Sequence, residues 1–292
     1  MDLSSFDAAA IAAKALTYAF SLTAAGGALF ILAFSHLLRV HERKQIPKLC
    51  AALAIFAILL TALRLPIIAA TLGGDFFSMM DLPLLQFAIE SSEGLAAGVR
   101  IAGLVLILLL LSPSPATSSI AALGAVLVPV SFALTGHSPS LDRGLLPQAL
   151  VSLHLLGVSY WMGAFFPLRY VTYRPDPPGV AVVMKRFGDI ALYIVGALVV
   201  AGALLLWIML TTPLVLFESD YGRAVVVKLL FVAGLLGLAA VNKRVLTPAL
   251  ARGDISALQR LRNSITAEIA MAGLILVATA TFTTVVGPPA LE

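Results

Sequence analysis

The chain is short of most of what a water-soluble protein displays. Only 12% of its 292 residues are charged, against roughly 25% in an ordinary soluble domain, so most of its surface is not built to face water. Its one cysteine, Cys50, excludes an intrachain disulfide and any zinc or iron–sulfur centre built on thiolates. Seven methionines are no enrichment, and a thioether relay finds little support. There is no G-x-S-x-G, no H-E-x-x-H and no P-loop, so nucleophilic, zinc-peptidase and nucleotide chemistry lack their usual carriers. No enzyme activity, no catalytic residue and no nucleic-acid partner are expected. Runs of ten residues in strict apolar–polar alternation are absent, which argues against a porin-type barrel. The opening MDLSSFDAAAIAAKAL has acids where a signal peptide needs positive charge, so its apolar helix is expected to be retained.

What is present is apolar sequence in long runs. Hydrophobic residues make up 60% of the chain and the mean hydropathy is +1.03. Runs of about 20 apolar residues, each enough to cross a bilayer, recur from end to end. The fold class expected is an all-α polytopic transmembrane bundle of eight spans, near 15–38, 49–72, 92–111, 118–136, 148–170, 188–211, 222–242 and 262–285. Connections are short, so residues 1–292 read as a single membrane domain. The stretch 73–90, GGDFFSMMDLPLLQFAIE, is too long for a turn and too short and acidic for a span. It is expected to lie in the membrane interface. No internal repeat is evident, so an inverted-repeat transporter is not indicated.

Charge sets the expected orientation. Three alternate loops carry thirteen of the nineteen basic residues: Arg39, Arg43, Lys44 and Lys48; Arg169, Arg174, Lys185 and Arg186; Lys243, Arg244, Arg252, Arg260 and Arg262. The opposite side carries Lys14, Arg143 and Arg223, with ten of the fifteen acids. Both termini are therefore expected in the periplasm of a bacterial inner membrane.

Three cations remain inside the spans: Arg64, Arg100 and Lys228. A charge at mid-bilayer costs at least ~2.5 kcal/mol. At 1.5 Å per residue these three and His154 fall roughly 9–12 Å from the outer end, in one polar layer. Glu93 precedes Arg100, and His154 precedes Trp161, by seven residues, so each pair shares a helix face. Glu93 and Arg100 are expected to pair and hold an outer cavity open. Snorkelling to the headgroups is the other reading, best suited to Lys228. A second polar layer holds Asp189, Asn242 and Glu268. Capping or loop anchoring is expected of the first two, and Glu268 needs a partner or a proton, which leaves a structural pair with an Arg of the basic loops or a role in transport.

The four histidines are His36, His41, His137 and His154. His41 sits in a basic loop, where solvation suffices, and His36 ends the first span. His137 and His154 lie across one short outer loop, so their spans are expected to be neighbours. Two imidazoles there could hold copper, zinc or haem iron, or could be ordinary interfacial histidines. GLAAG (94–98) and AAGG (24–27) read as notches for helix packing.

Several stretches resemble the copper-resistance D (CopD) family of bacterial inner-membrane proteins. They are SFALTGH (131–137), LHLLGVSYWMGAFFPL (153–168), KRFGDIALYIVGALVVAGALLLW (185–207), YGRAVVVKLLFVAGLLGLAAVNKRVLTPAL (221–250) and LQRLRNSITAEIAMAGLILVATATFTT (258–284). The resemblance covers about 131–285, and its strongest parts are H-x6-W-x-G and YGR-x4-K followed by NKR-x-L-x-P. It implies copper handling or transport across the inner membrane, with uptake from a periplasmic copper-binding protein of the CopC type. It places His137 and His154 on the family's histidines, and Lys228, Asn242 and Glu268 on its polar positions. A Met- or His-rich extracytoplasmic tail is missing, so a separate donor is expected. Two readings of the site stand. Copper is held by His137 and His154, with Trp161 shaping the site. Alternatively these histidines are axial ligands of haem b, with Arg64, Arg100 and Lys228 against its propionates, and the protein serves redox chemistry or electron transfer, the one reading that leaves an enzyme activity open. A subunit whose cavity binds nothing is the third.

Overall fold

In the computed structural model the residues described are 5–112, 114–135, 145–209 and 220–281. They form α1 (Ser5–Phe34), α2 (Val40–Gly73), α3 (Leu82–Glu90), α4 (Ser92–Ile107), α5 (Pro115–Ser131), α6 (Leu146–Val171), α7 (Pro177–Met209), α8 (Asp220–Val241), α9 (Thr247–Ala251) and α10 (Ser256–Thr281). A π-helical segment, Asn242–Leu246, joins α8 to α9. There is no strand among the described residues. Eight segments are long and apolar enough to cross a membrane, from Ala8–Leu37 to Ser256–Thr281, and the chain is an all-α membrane bundle. Several helices outrun the apolar stretches that announced them. α2 begins at Val40 and α10 at Ser256, because polar residues continue a helix into the interface once its backbone bonds are in place.

The bundle is organised around α1, which packs against α2, α5, α6 and α10. Its approach to α6 is set by missing side chains. A Cβ on Gly26 would stand 1.6 Å from the Ser159 carbonyl oxygen, and one on Gly163 would stand 2.0 Å from the Gly26 carbonyl carbon. Small residues let backbones meet where lipid gives no hydrophobic drive to association. AAGG is therefore the notch expected. Within GLAAG the two glycines differ: a Cβ on Gly94 would lie 1.9 Å from the Ile89 carbonyl oxygen of α3, whereas Gly98 faces open space, and α4 meets α5 further on, where a Cβ on Gly124 would lie 2.4 Å from the Gly103 carbonyl oxygen.

The three basic loops gather at one end, tied by polar contacts between them. Arg174 makes a two-pronged pair with Glu42, its Nε donating to Oε1 at 2.6 Å, and also donates to the Leu37 carbonyl. Arg39 pairs with Asp176 at 2.8 Å. Arg262 donates to the Thr172 carbonyl and lies over the Tyr173 ring. Lys243 bonds Asp189 and the Gly188 carbonyl, which makes Asp189 the loop anchor expected. At the other end the 73–90 stretch folds as a 3-10 turn, Phe77–Met80, followed by α3. Phe77, Met80, Leu82 and Phe87 of this stretch are exposed.

Candidate functional site

The polar residues buried in the spans form three groups. The first joins α1, α2, α4 and α5 in the half away from the basic loops. Arg100 lies eight residues into α4, about 12 Å along its axis, and is 1% exposed. Its Nε donates to Ser131 Oγ at 3.1 Å, and its guanidinium stands 3.6 Å over the Phe132 ring. Phe132 also stacks on Tyr18. Ser131 can receive this donor because its own hydroxyl donates back to the Val128 carbonyl. Arg64, nine residues from the end of α2, pairs with Glu93 at 3.2 Å. Lys14 on α1 is close enough for its charge to act with both.

This arrangement corrects the expected pairing of Glu93 with Arg100. Seven residues separate the two by about 10.5 Å along one axis, too far for their side chains to close when α2 brings Arg64 nearer. Nor does Arg100 border an open cavity. Ser131 and Phe132 occupy the space in front of it, and one of its nitrogens, Nη2, is buried with no hydrogen-bond partner.

The second group is His154 on α6 with Lys228 on α8. Both lie eight residues into their helices, about 12 Å from the start. Lys228 acts on the imidazole through space, and the ring also meets the Leu198 backbone on α7. Its Nδ1 is buried and has no hydrogen-bond partner. Beside it an apolar cavity of about 270 Å³ is bordered by Leu153, Gly157, Tyr160, Ile194 and Leu198. His137 lies outside the described residues, as do Asp142 and Arg143. Among the described residues no three His, Cys, Asp or Glu side chains gather as a metal cage.

The third group lies nearer the basic end, where three helices converge on Glu268 of α10. Asn242 Nδ2 donates to its Oε1 at 2.5 Å, and Trp161 Nε1 to its Oε2 at 3.4 Å. Glu268, Asn242 and Trp161 are 5%, 6% and 8% exposed. Asn242 opens the π-helical segment, and Thr247 Oγ donates to its carbonyl at 2.8 Å. Such π-helical turns occur frequently at functional sites. Asn242 is thus not the cap or loop anchor expected, and Glu268 takes no Arg partner from the basic loops. Trp161, placed by its spacing beside His154, spends its N–H one layer deeper. The sequence placed Asn242 and Glu268 in one polar layer, but it did not show that the two side chains meet.

His36 and His41 are exposed at the basic end. The guanidinium groups of Arg64 and Arg100, expected against haem propionates, are engaged with Glu93 and with Ser131–Phe132, and a haem between the histidines gains no support from them.

Eight apolar spans enclosing these polar groups define a multi-pass membrane protein with buried polar sites. Two family profiles account for most of its length: copper resistance protein D over residues 181–282, and the copper resistance protein D-like N-terminal domain over residues 5–146. The chain belongs to the copper-resistance D family. The second match extends the kinship into the half of the chain where the sequence showed it least. No curated protein and no solved structure matches.

Proposed function

We propose that this protein binds copper at the membrane and carries it across the bacterial inner membrane, taking it from a periplasmic copper-binding protein of the CopC type. The observation that carries the reading is His154. A buried imidazole nitrogen without a partner, about 12 Å along a membrane span, is a costly arrangement that a metal ion relieves. His137, seventeen residues earlier across a short loop, is the second ligand. Two imidazoles accept copper in either oxidation state. Copper is here the cargo and not a resident cofactor.

The orientation belongs to the same reading. With the three basic loops in the cytoplasm, both termini and the histidines lie on the periplasmic side, where a periplasmic donor delivers. The 73–90 stretch, with its exposed apolar side chains, rests in the same interface. The charge of Lys228 reaches His154 and opposes a bare cation there; two like charges 4 Å apart repel by roughly 4 kcal/mol at an effective dielectric near 20. This favours a site that holds copper briefly.

The test is copper analysis of purified wild type beside His137→Ala and His154→Ala, with uptake measured in cells that express each. Both variants should lose most bound copper and most uptake while keeping wild-type yield. Full copper content in both folded variants would refute the site, and unchanged uptake would refute the transport role.

A further inference from the structure

Glu268 has a setting that copper binding does not use. Its carboxyl lies twelve residues into α10, about 18 Å from the helix start and six residues beyond Arg262. Both oxygens accept from neutral donors, Asn242 and Trp161. An ionised carboxylate taken out of water without a counter-charge costs several kcal/mol. The cations on the elements packed against it are committed elsewhere. Arg169 of α6 bonds Thr266, Arg262 of α10 bonds Thr172, Arg260 pairs with Asp254, and Lys243 of the π-segment pairs with Asp189. Arg244 is exposed. Lys228 of α8 lies eight residues into its helix, in the layer of His154 and away from Glu268, and Lys14 and Tyr18 of α1 belong to the Arg64–Arg100 group. Tyr160 stacks on Phe187.

Two further atoms give the setting a direction. Ser264 lies one turn before Glu268 on α10, and residues four apart share a face. Its hydroxyl is buried with no hydrogen-bond partner, as is Asn242 Oδ1. A hydroxyl both donates and accepts. Ser264 therefore stands between Glu268 and the basic end as a group able to hand a proton on, directly or through a water held by the same unpartnered atoms. The donors around Glu268 are oxygen and amide nitrogen, a poor set for a soft metal, and Met271 on the same helix packs toward Gly234.

We propose that Glu268, held by Asn242 and Trp161, is a proton-binding site buried in the membrane, loaded and emptied from the basic end past Ser264. Intramembrane carboxyls without a counter-ion serve proton relays in pumps and transporters. The site does not depend on the copper site and goes beyond it. A neutral Glu268 removes the uncompensated charge, and its release of a proton to the basic end restores that charge only while a water or a cation reaches it.

The experiment is infrared spectroscopy of the full chain in lipid vesicles at neutral pH, in ordinary and heavy water. Wild type should show a carboxylic-acid carbonyl band that shifts on deuteration and is lost in Glu268→Gln. Ser264→Ala should keep the band and slow its shift. Labelling of wild type with a hydrophobic carbodiimide, which adds to protonated carboxyls, supplies a measure that needs no variant. The peptide carrying Glu268 should gain the reagent at neutral pH and less of it as the pH rises. Absence of both the band and the label in folded wild type overturns the proposal. So does a band that never exchanges, which would mark Glu268 as a fixed structural carboxyl.

Discussion

Glu93 of α4 reaches across to Arg64 of α2 at 3.2 Å and leaves Arg100, on its own helix, to the hydroxyl of Ser131 and the ring of Phe132. The two arginines lie at similar depth and differ in every other respect. Arg64 keeps a carboxylate and some exposure, whereas Arg100 is enclosed. Their replacement should therefore cost different amounts. Arg64→Gln removes a partly exposed pair, worth about 1 kcal/mol or less after screening. Arg100→Gln removes a buried cation–ring contact and a charged hydrogen bond, together about 2–4 kcal/mol. Thermal melts of the two purified variants should rank them in that order, and equal midpoints would contradict the packing described.

The contact of α1 with α6 makes a second prediction. Gly26→Ala or Gly163→Ala drives a methyl into backbone that cannot yield as a side chain would. Overpacking of this kind costs about 1–3 kcal/mol, and the midpoint should fall. Gly98→Ala meets nothing within 4 Å and should be neutral or stabilise by up to ~1 kcal/mol, since alanine is the better helix former. A melting comparison of the three decides it.

Outside the spans, Asp254 joins α9 to α10. Its carboxylate accepts from the Ser256 hydroxyl at 2.6 Å and the Ser256 amide at 2.9 Å, and the hydroxyl above all holds its pKa below the usual carboxylate value. A depressed carboxyl contributes stability that is present above its unfolded pKa and lost as the pH falls through the folded one. Protease cutting at the Gly253 turn should therefore stay low at neutral pH and rise only under acid. Asp254→Asn should raise the neutral-pH rate and flatten the acid response. An unaltered pH profile in the variant would remove Asp254 from the account.

Orientation gives a fourth prediction. A reporter that works only in the periplasm, fused after Glu292, should be active, and the same reporter placed after Arg252 silent. Activity at Arg252 alone would invert the bundle and move His154 to the cytoplasmic half.

Trp161 tests the inner group. Trp161→Phe keeps a ring and deletes the N–H that meets Glu268. One of the two donors goes, which costs about 1–3 kcal/mol if the carboxyl oxygen is left unpaired. Copper bound at the proposed histidine site should be unchanged, because the indole N–H meets Glu268 in the other layer. A loss of copper equal to that in His154→Ala would place Trp161 at the metal instead.

The sequence by itself determined the eight spans, because twenty apolar residues have no other stable setting than a bilayer. It determined that the thirteen loop cations fall on one end, since charge is read loop by loop, and the structure joins those loops through Arg174–Glu42 and Arg262–Thr172. It also picked out the buried polar residues, because each stands alone in an apolar run. Only the tertiary structure decided their partners. Helical periodicity gives a residue its depth and face but does not say which neighbouring helix meets that face. Glu93 therefore pairs with Arg64 rather than Arg100, and of the glycines in GLAAG it is Gly94 and not Gly98 that meets a neighbouring helix. Asn242 is the clearest case. Its side chain reaches Glu268 from the residue at which the helix changes period, and the sequence shows neither that change nor which neighbouring helix the carboxamide meets.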